Sequence, residues 1–331
     1  MFVSTILSQS SKFASSAPSN PRAKPALLHK TSIFEKSGGI FSISFFTATL
    51  SVISKQSGRQ FSPNSFVRSS SLLPLLPVII TFHPFLIKIL AKIFIKNGWK
   101  VIITGRRGNR LEDLTKELGE NCLPLCFDIT DRVAVKKEIE NIPPDFSNID
   151  VLCNNAGLAL GLEGADEANL DDWDKMVDTN IKGLIYATRQ VLPKMVQNKS
   201  GHIINIGSVA GSYPYPGGNV YGGTKAFVSQ FSLNLRADLV SKGINVTSIE
   251  PGLAETEFSL VRFKGDNEKA SKVYENTNFI KPEDIGETIY WVATRPKNIN
   301  VNRIEIMAGL QAFNPFNICL LYTSDAADDD A

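Results

Sequence analysis

From about Ala91 onward, short apolar runs alternate with longer segments whose apolar residues recur every three or four positions. The runs have the length of buried strands, and the longer segments have the period of helices with one apolar face. A helical segment, Ile89 to Lys96, leads through Asn97-Gly98 into a strand from Lys100 to Thr104. Helix Leu111 to Leu118 precedes a strand at Leu123 to Phe127. Helix Asp131 to Ile139, with Thr130 as N-cap, precedes a strand at Ile149 to Cys153. One long helix, Asp171 to Val196, leads to an isoleucine-rich strand that starts at His202 and ends near Gly207. After it come helix Tyr221 to Leu239, strand Ile244 to Ile249, helix Pro282 to Ala293 and a last strand from Arg303 to Met307. Pro77 to Thr81 can serve as a first strand. Strands and helices alternating at these lengths predict an α/β fold, with one doubly wound parallel sheet covered by helices on both faces. Ligands of such sheets sit beyond the carboxyl ends of the strands. The polar residues gather at those ends: Arg106-Arg107, Asp128, Asn154-Asn155, Ser208 and Pro251-Gly252.

The densest chemistry lies between His202 and Val228. Ser208 ends a strand, and a loop rich in Gly, Pro and Tyr leads to Tyr221 and Lys225. Four residues apart on a helix, these two share a face and can reach one ligand. A phenol, an ammonium and a hydroxyl converging at a strand end outline an acid/base site. Read singly, each is a surface tyrosine, a solvated lysine or a turn serine; the spacing and the α/β pattern favour the site.

Composition adds limits. A net charge of +2 over 331 residues argues against nucleic acid as a bulk partner. Before Glu112 the single acidic residue is Glu35, whereas Asp325 to Asp330 is acidic, so the ends differ in character from the middle. Cys122, Cys126, Cys153 and Cys319 have no histidine at metal-ligand spacing, and they read as thiols in a reducing compartment, with no metal. Residues 1–76 are rich in Ser and poor in acids, which describes an organellar transit peptide or mis-framed sequence equally well. Neither Gly39 to Ser54 nor the proline-broken Leu72 to Ile87 has the roughly 20 apolar residues of a spanning helix.

Taken in order, Asn154-Asn155-Ala156-Gly157, Asn180 within DTNIKG, Ser208, Tyr221-x-x-x-Lys225 and Pro251-Gly252-x-x-x-Thr256 resemble the short-chain dehydrogenases/reductases. The runs NNAGLALG and TEFSLVRFKGD resemble the NADP-dependent 3-hydroxy acid dehydrogenases of that family, which act on serine and 3-hydroxyisobutyrate. The resemblance covers roughly Ala91 to Phe313 and implies a Rossmann-type domain, here residues 77–313. It also implies hydride transfer between a 3-hydroxy acid and NADP, in a cytoplasmic homo-oligomer, dimer or tetramer. In that family Tyr221 would be the acid/base and Lys225 its activator and a ribose ligand. Ser208 would hold the substrate oxygen, and Asn180 would support a proton-relaying water. Asn155, Pro251, Gly252 and Thr256 would line the ribose and nicotinamide, and Asp128 would meet adenine. A phenol titrates near ~10, so a base working near neutrality needs a depression of about 3 units, or about 4 kcal/mol. The Lys225 ammonium is expected to supply it. A NAD enzyme places an acid after the second strand to hold the ribose 2′-hydroxyl. Arg106 and Arg107 stand there instead and suit a 2′-phosphate. Arg262, with Lys264 nearby, is a candidate for gripping a substrate carboxylate; a surface-loop role is the alternative.

Two departures stand out. The family's glycine-rich phosphate turn should follow the first strand, yet no glycine occurs between Gly58 and Gly98. Losing two or three charge-assisted hydrogen bonds of ~1.5–3 kcal/mol each weakens cofactor binding by at least ~100-fold. The tail CLLYTSDAADDDA (part of 314–331) reads as translated adapter sequence rather than selected protein, and the leader then reads as a frameshift or non-coding sequence. The competing readings are a catalytically impaired scaffold with a genuine N-terminal extension, and an organelle-targeted or membrane-anchored carbonyl reductase.

Overall fold

The computed structural model describes residues 77–81, 84–274 and 279–313. Residues 1–76 and 314–331, with the extension, the leader, the acidic tail and Cys319, lie outside them. The strands are β1 (Pro77–Ile80), β2 (Lys100–Gly105), β3 (Cys122–Cys126), β4 (Val151–Asn154), β5 (Gly201–Ile206), β6 (Ile244–Pro251) and β7 (Arg303–Ile306). The principal helices are α1 (Pro84–Lys96), α2 (Gly108–Leu118), α3 (Arg132–Glu140), α4 (Leu170–Val177), α5 (Leu184–Asn198) and α6 (Asn219–Leu239). Two short helices, α7 (Phe258–Arg262) and α8 (Asn267–Lys272), precede α9 (Pro282–Ala293).

All seven strands form one parallel sheet in the order β3-β2-β1-β4-β5-β6-β7. Strand side chains point alternately to opposite faces, and the core divides accordingly. Val78, Ile80, Val101, Ile103, Val151 and Cys153 meet Leu86, Leu90 and Phe94 of α1 and Ile285, Ile289 and Val292 of α9 on one face. Ile79, Ile102, Leu152, Ile203 and Val246 meet Val135 of α3, Val191 and Met195 of α5, and Leu235 and Leu239 of α6 on the other. This two-sided burial explains why the strands read as continuous apolar runs rather than as alternating ones. Pro124 interrupts β3 without penalty because β3 is an edge strand.

The first strand is where the sequence places it, with Val78 paired to both Val101 and Val151 at the centre of the sheet. Several other boundaries move. The helix expected from Ile89 begins at Pro84, a residue suited to a first turn because its missing N–H has no partner to find there. Asp131, not Thr130, caps α3: its Oδ1 accepts from Val133 N at 2.9 Å and Ala134 N at 3.0 Å. The Thr130 hydroxyl is committed to Asp128 at 2.8 Å. The helix expected from Asp171 to Val196 starts under an Asn169 cap and is broken by a π-helical turn at Asp178–Gly183. The described part of Leu72 to Ile87 is β1 and the start of α1, and among the described residues no helix is long and apolar enough to cross a membrane.

His202 on β5 is buried, and its Nε2 lies 2.8 Å from Thr247 Oγ1. The Thr247 proton goes to Val301 O at 2.6 Å, so His202 Nε2 carries the hydrogen of that contact. Burial pulls the imidazole down to about 4. The unfolded chain therefore takes up this proton first, near pH ~6.5. Stability is fully present above that value and is lost as pH falls towards about 4, by up to about 3 kcal/mol. Denaturation midpoints measured across this window should fall more steeply for the parent chain than for a His202→Gln variant.

Candidate functional site

Parallel pairing leaves the carboxyl ends of β1, β4, β5 and β6 side by side, and their last residues build the site. Strand β5 ends at Ile206; Gly207 then donates its N–H to Ile249 O at 2.7 Å. Ser208 follows in extended backbone and caps a 3-10 turn, Val209–Gly211, with its Oγ accepting from Ala210 N at 3.1 Å. A side chain on Gly211 would strike the backbone of Lys225 and Ala226 at 2.8 Å, so glycine there lets the turn press against α6. That contact brings Ser208 alongside Tyr221, where the serine hydroxyl acts to lower the phenol's proton affinity.

Tyr221 and Lys225 lie on the buried face of α6, 8 % and 6 % exposed. Lys225 Nζ donates to Ile206 O at 2.9 Å and stands 5.9 Å from the centre of the Tyr221 ring. Gly157 makes room for this ammonium, since a side chain there would lie 3.2 Å from Nζ. Burial pulls Lys225 down to about 8, with Glu250 opposing the shift. The expected depression of the phenol is not found. Burial pushes Tyr221 up to about 12, Tyr215 adds to the rise, and Ser208 and Arg262 only partly offset it. The reason is geometric: the Lys225 ammonium faces a carbonyl, and the cation acting on the phenol is the Arg262 guanidinium, 5.4 Å over its ring.

Asn180 lies in the π turn, where its Oδ1 accepts from Leu158 N at 2.8 Å and its Nδ2 donates to Leu158 O at 2.9 Å and Thr224 Oγ1 at 3.0 Å. Its side chain thus ties the loop after β4 to the turn of α6 that carries Lys225. On the same loop, Asn155 N and Ala156 N donate to Thr81 Oγ1 at 3.0 and 3.2 Å, and Thr81 itself donates to Cys153 O. Thr81 belongs to the site as the post that fixes the loop. Among the described residues, Asn155 Nδ2 is buried without a hydrogen-bond partner. A buried amide left unmatched is costly and marks a place for a ligand oxygen.

At the other end of the cleft, Arg107 precedes α2, and Arg106 Nη1 lies 3.5 Å from Asp128 Oδ2. Burial lowers Arg107, and Arg110 and Arg106 lower it further while Glu257 opposes them. Arg107 thus feels two other guanidiniums, Arg106 beside Asp128 and Arg110 at 3.8 Å from Glu257, a cluster suited to a phosphate dianion. Arg110 is an addition; its place three residues after Arg107 at a helix start was the available signal. Burial raises the Asp128 carboxyl, but the Thr130 amide and hydroxyl, with Arg106, more than reverse this and leave it below its ordinary value.

Pro251 O accepts from Ser208 Oγ at 3.4 Å, and Gly252 N donates to Ile306 O at 2.7 Å. Thr256 Oγ1 accepts from Phe258 N at 3.1 Å and so starts α7. That short helix delivers Arg262, whose Nε donates to Gly161 O at 3.4 Å and whose Nη2 donates to the Tyr215 hydroxyl. Lys264, the other basic residue of this segment, is instead engaged by Asp172 at 2.7 Å. Residues 82–83, where the phosphate turn would begin, lie outside the described residues. Among the described residues no group of three or more His, Cys, Asp or Glu could hold a metal. Cys122, Cys126 and Cys153 are free thiols.

The unmatched Asn155 amide and the arginine cluster at the far end suit the two ends of a phosphorylated dinucleotide. Known proteins with this sequence pattern agree. The profile of the short chain dehydrogenase family matches residues 88–266. An NADP-dependent 3-hydroxy acid dehydrogenase, YdfG of Salmonella typhi, is 59% identical over 225 residues, 68% of this chain and 91% of that protein. Serine 3-dehydrogenase of Rhizobium radiobacter is 54% identical over 228 residues, 69% of this chain and 91% of that protein. The closed form of serine dehydrogenase complexed with NADP+ superposes with a TM-score of 0.71 at 52% identity, covering 72% of this chain and 96% of that one. With the parallel sheet, the ordered motifs and these likenesses in agreement, the chain belongs to the short-chain dehydrogenase family.

Proposed function

We propose that the chain is an NADP-dependent dehydrogenase of 3-hydroxy acids, serine-like or 3-hydroxyisobutyrate-like, with Tyr221 handling the proton. The observation that carries this reading is the meeting of Ser208, Tyr221 and Arg262 at the strand ends: the serine hydroxyl acts on the phenol, and the guanidinium lies 5.4 Å over its ring. A 3-hydroxy acid offers a matching pair, a carbinol to oxidise and a carboxylate separated from it by one carbon. Support comes from relatives named for NADP and for 3-hydroxy acid or serine oxidation.

Ser208 steadies the substrate oxygen, and Tyr221 takes its proton in oxidation and returns it in reduction. Arg262, joined by Tyr215, grips the carboxylate. Lys225 supplies a charged donor for the ribose, while Asn180 positions the loop and helix around it. Asn155, Pro251, Gly252 and Thr256 line the nicotinamide end. Arg106 and Arg107, with Arg110, hold the 2′-phosphate, and Asp128 flanks the adenine. NADP, when bound, accepts the hydride in oxidation or donates it in reduction, leaving proton handling to the protein. The glycine-free turn bears on how tightly the cofactor is held rather than on this chemistry. A cytoplasmic homo-oligomer, dimer or tetramer, goes with the same reading. Phe227 and Phe231, half-buried and stacked at 5.5 Å on α6, support the self-association.

Removing the phenol in Tyr221→Phe should lower turnover by about 10²–10⁴-fold with little change in KM, as read in steady-state assays with NADP and L-serine or 3-hydroxyisobutyrate. A variant as fast as the parent would refute the assignment. Because oxidation needs the unprotonated phenol, which burial holds high, the oxidation rate should climb as pH is raised from neutrality, whereas carbonyl reduction should not.

Replacing both Arg106 and Arg107 by Ala should weaken NADPH binding by roughly 10–100-fold and leave NADH binding nearly unchanged. Equal losses for both coenzymes would place the arginines elsewhere in function. For Arg262→Ala the expected result is a KM raised roughly 10–100-fold for a hydroxy acid but not for a neutral secondary alcohol. An unchanged KM for the acid would remove Arg262 from substrate recognition.

A further inference from the structure

Glu250 lies at the end of β6 with its side chain fully buried, and the proton chemistry above does not use it. A buried carboxylate persists only when its oxygens are paired. Oε1 accepts from Ser229 Oγ at 2.7 Å and Ser248 Oγ at 3.0 Å. Oε2 lies 2.6 Å from the Arg303 guanidinium, a close charge contact that falls outside hydrogen-bond geometry. Arg303 also reaches Ser212 Oγ at 2.7 Å and Glu305 at 2.9 Å, which anchors it across the turn that follows Ser208.

Three contacts tie this carboxylate to the site. Ser229 stands one helical turn after Lys225 on α6. A side chain on Gly207 would meet Glu250 Cγ at 2.9 Å, so Glu250 fills the space against the residue that joins Ile206 to Ser208. Its chain neighbours take the donors of that same segment, Ile249 O from Gly207 N and Pro251 O from Ser208 Oγ. Around Lys225, Tyr221 faces it from its own helix and the Ile206 carbonyl from β5, with the neutral Asn180 near it at the π turn. Arg262 comes from α7 over Tyr221. Burial pulls Lys225 down, and Glu250 is the charge that pulls it back up.

We propose that Glu250 is a positioning residue of the dehydrogenase site: clamped by Ser229, Ser248 and Arg303, its carboxylate seats the Ile206–Ser208 segment and supplies the buried negative charge that keeps Lys225 an ammonium. The inference rests on the dehydrogenase reading and deepens it. Removing the charge lets Lys225 lose its proton at lower pH, and the cofactor ribose then loses its charged donor.

The test is the pH profile of hydroxy-acid oxidation for the parent chain, Glu250→Gln, Glu250→Asp and Arg303→Met, with Tyr221→Phe alongside. In Glu250→Gln the high-pH limb of turnover should move to lower pH by about one unit, and Glu250→Asp, which keeps the charge, should bring it back. Arg303→Met removes the cation that offsets Glu250 and should move the limb to higher pH. A folded Glu250→Gln enzyme whose limb stays at the parent position, even with a lower thermal midpoint, would show a purely structural role and overturn the proposal. Should Glu250→Gln fail to fold, the decision falls to Arg303→Met, and a limb that stays or moves down overturns it. An inactive parent, or a Tyr221→Phe variant at parental rate, removes the dehydrogenase reading itself and this inference with it, an outcome distinct from an unmoved limb in an active enzyme.

Discussion

Burying an ammonium costs several kcal/mol unless oxygen atoms receive its protons, and Lys225 is buried with the Ile206 carbonyl 2.9 Å away. Much of the site is arranged around that contact. The carbonyl exists as an acceptor because β5 stops at Ile206. Helix α6 comes close enough because Gly211 has no side chain to hold it off, and Nζ has room because Gly157 has none either. Tyr221 sits one turn earlier on the same buried face, so seating the lysine also seats the phenol. Asn180 locks the opposite wall through Leu158 and Thr224. The proposed proton handling thus depends on how closely one helix packs on one strand end.

The sheet delivers these pieces through simple alternation. Each central strand sends successive side chains to opposite apolar layers, and the polar groups of the candidate site stand where the strands finish. Hence Thr81, Asn154, Asn155, Ser208 and Pro251 come from separate parts of the chain and end as neighbours. The alternation was legible in the residues themselves: isoleucine and valine runs of strand length between helix-period segments. What local pattern could not show was the π turn at Asp178–Gly183, since an extra residue in a helical turn leaves the apolar period almost intact. The cap of α3 was missed by one residue because Thr130 and Asp131 are both good caps, and only the pairing of Thr130 with Asp128 decides between them.

Within the candidate site, residue types and spacing singled out Ser208, Tyr221, Lys225 and the arginines after β2, because their chemistry is conspicuous at strand ends. Charge balance was less legible. The phenol was expected to be depressed by its lysine, yet burial raises it, and the cation acting on it is Arg262, forty-one positions later in the chain. Lys264 looked equivalent to Arg262 in sequence but pairs with Asp172 on α4. Glu250 gave no signal at all, since a glutamate before Pro-Gly reads as a turn residue until its burial is seen. These are tertiary facts, set by which elements meet.

Cofactor binding is where the chain departs most from its family: no glycine follows the first strand, while Asn155 and Arg106-Arg107 stand where the proposed function places the nicotinamide and the 2′-phosphate. Titration of the purified chain with NADPH, followed by nicotinamide fluorescence, tests most directly whether those two ends suffice. Saturable binding, displaced by NADP and weakened by salt as phosphate–guanidinium contacts require, is the predicted result. A flat titration at millimolar NADPH would contradict the assignment of this chain as an NADP-dependent dehydrogenase.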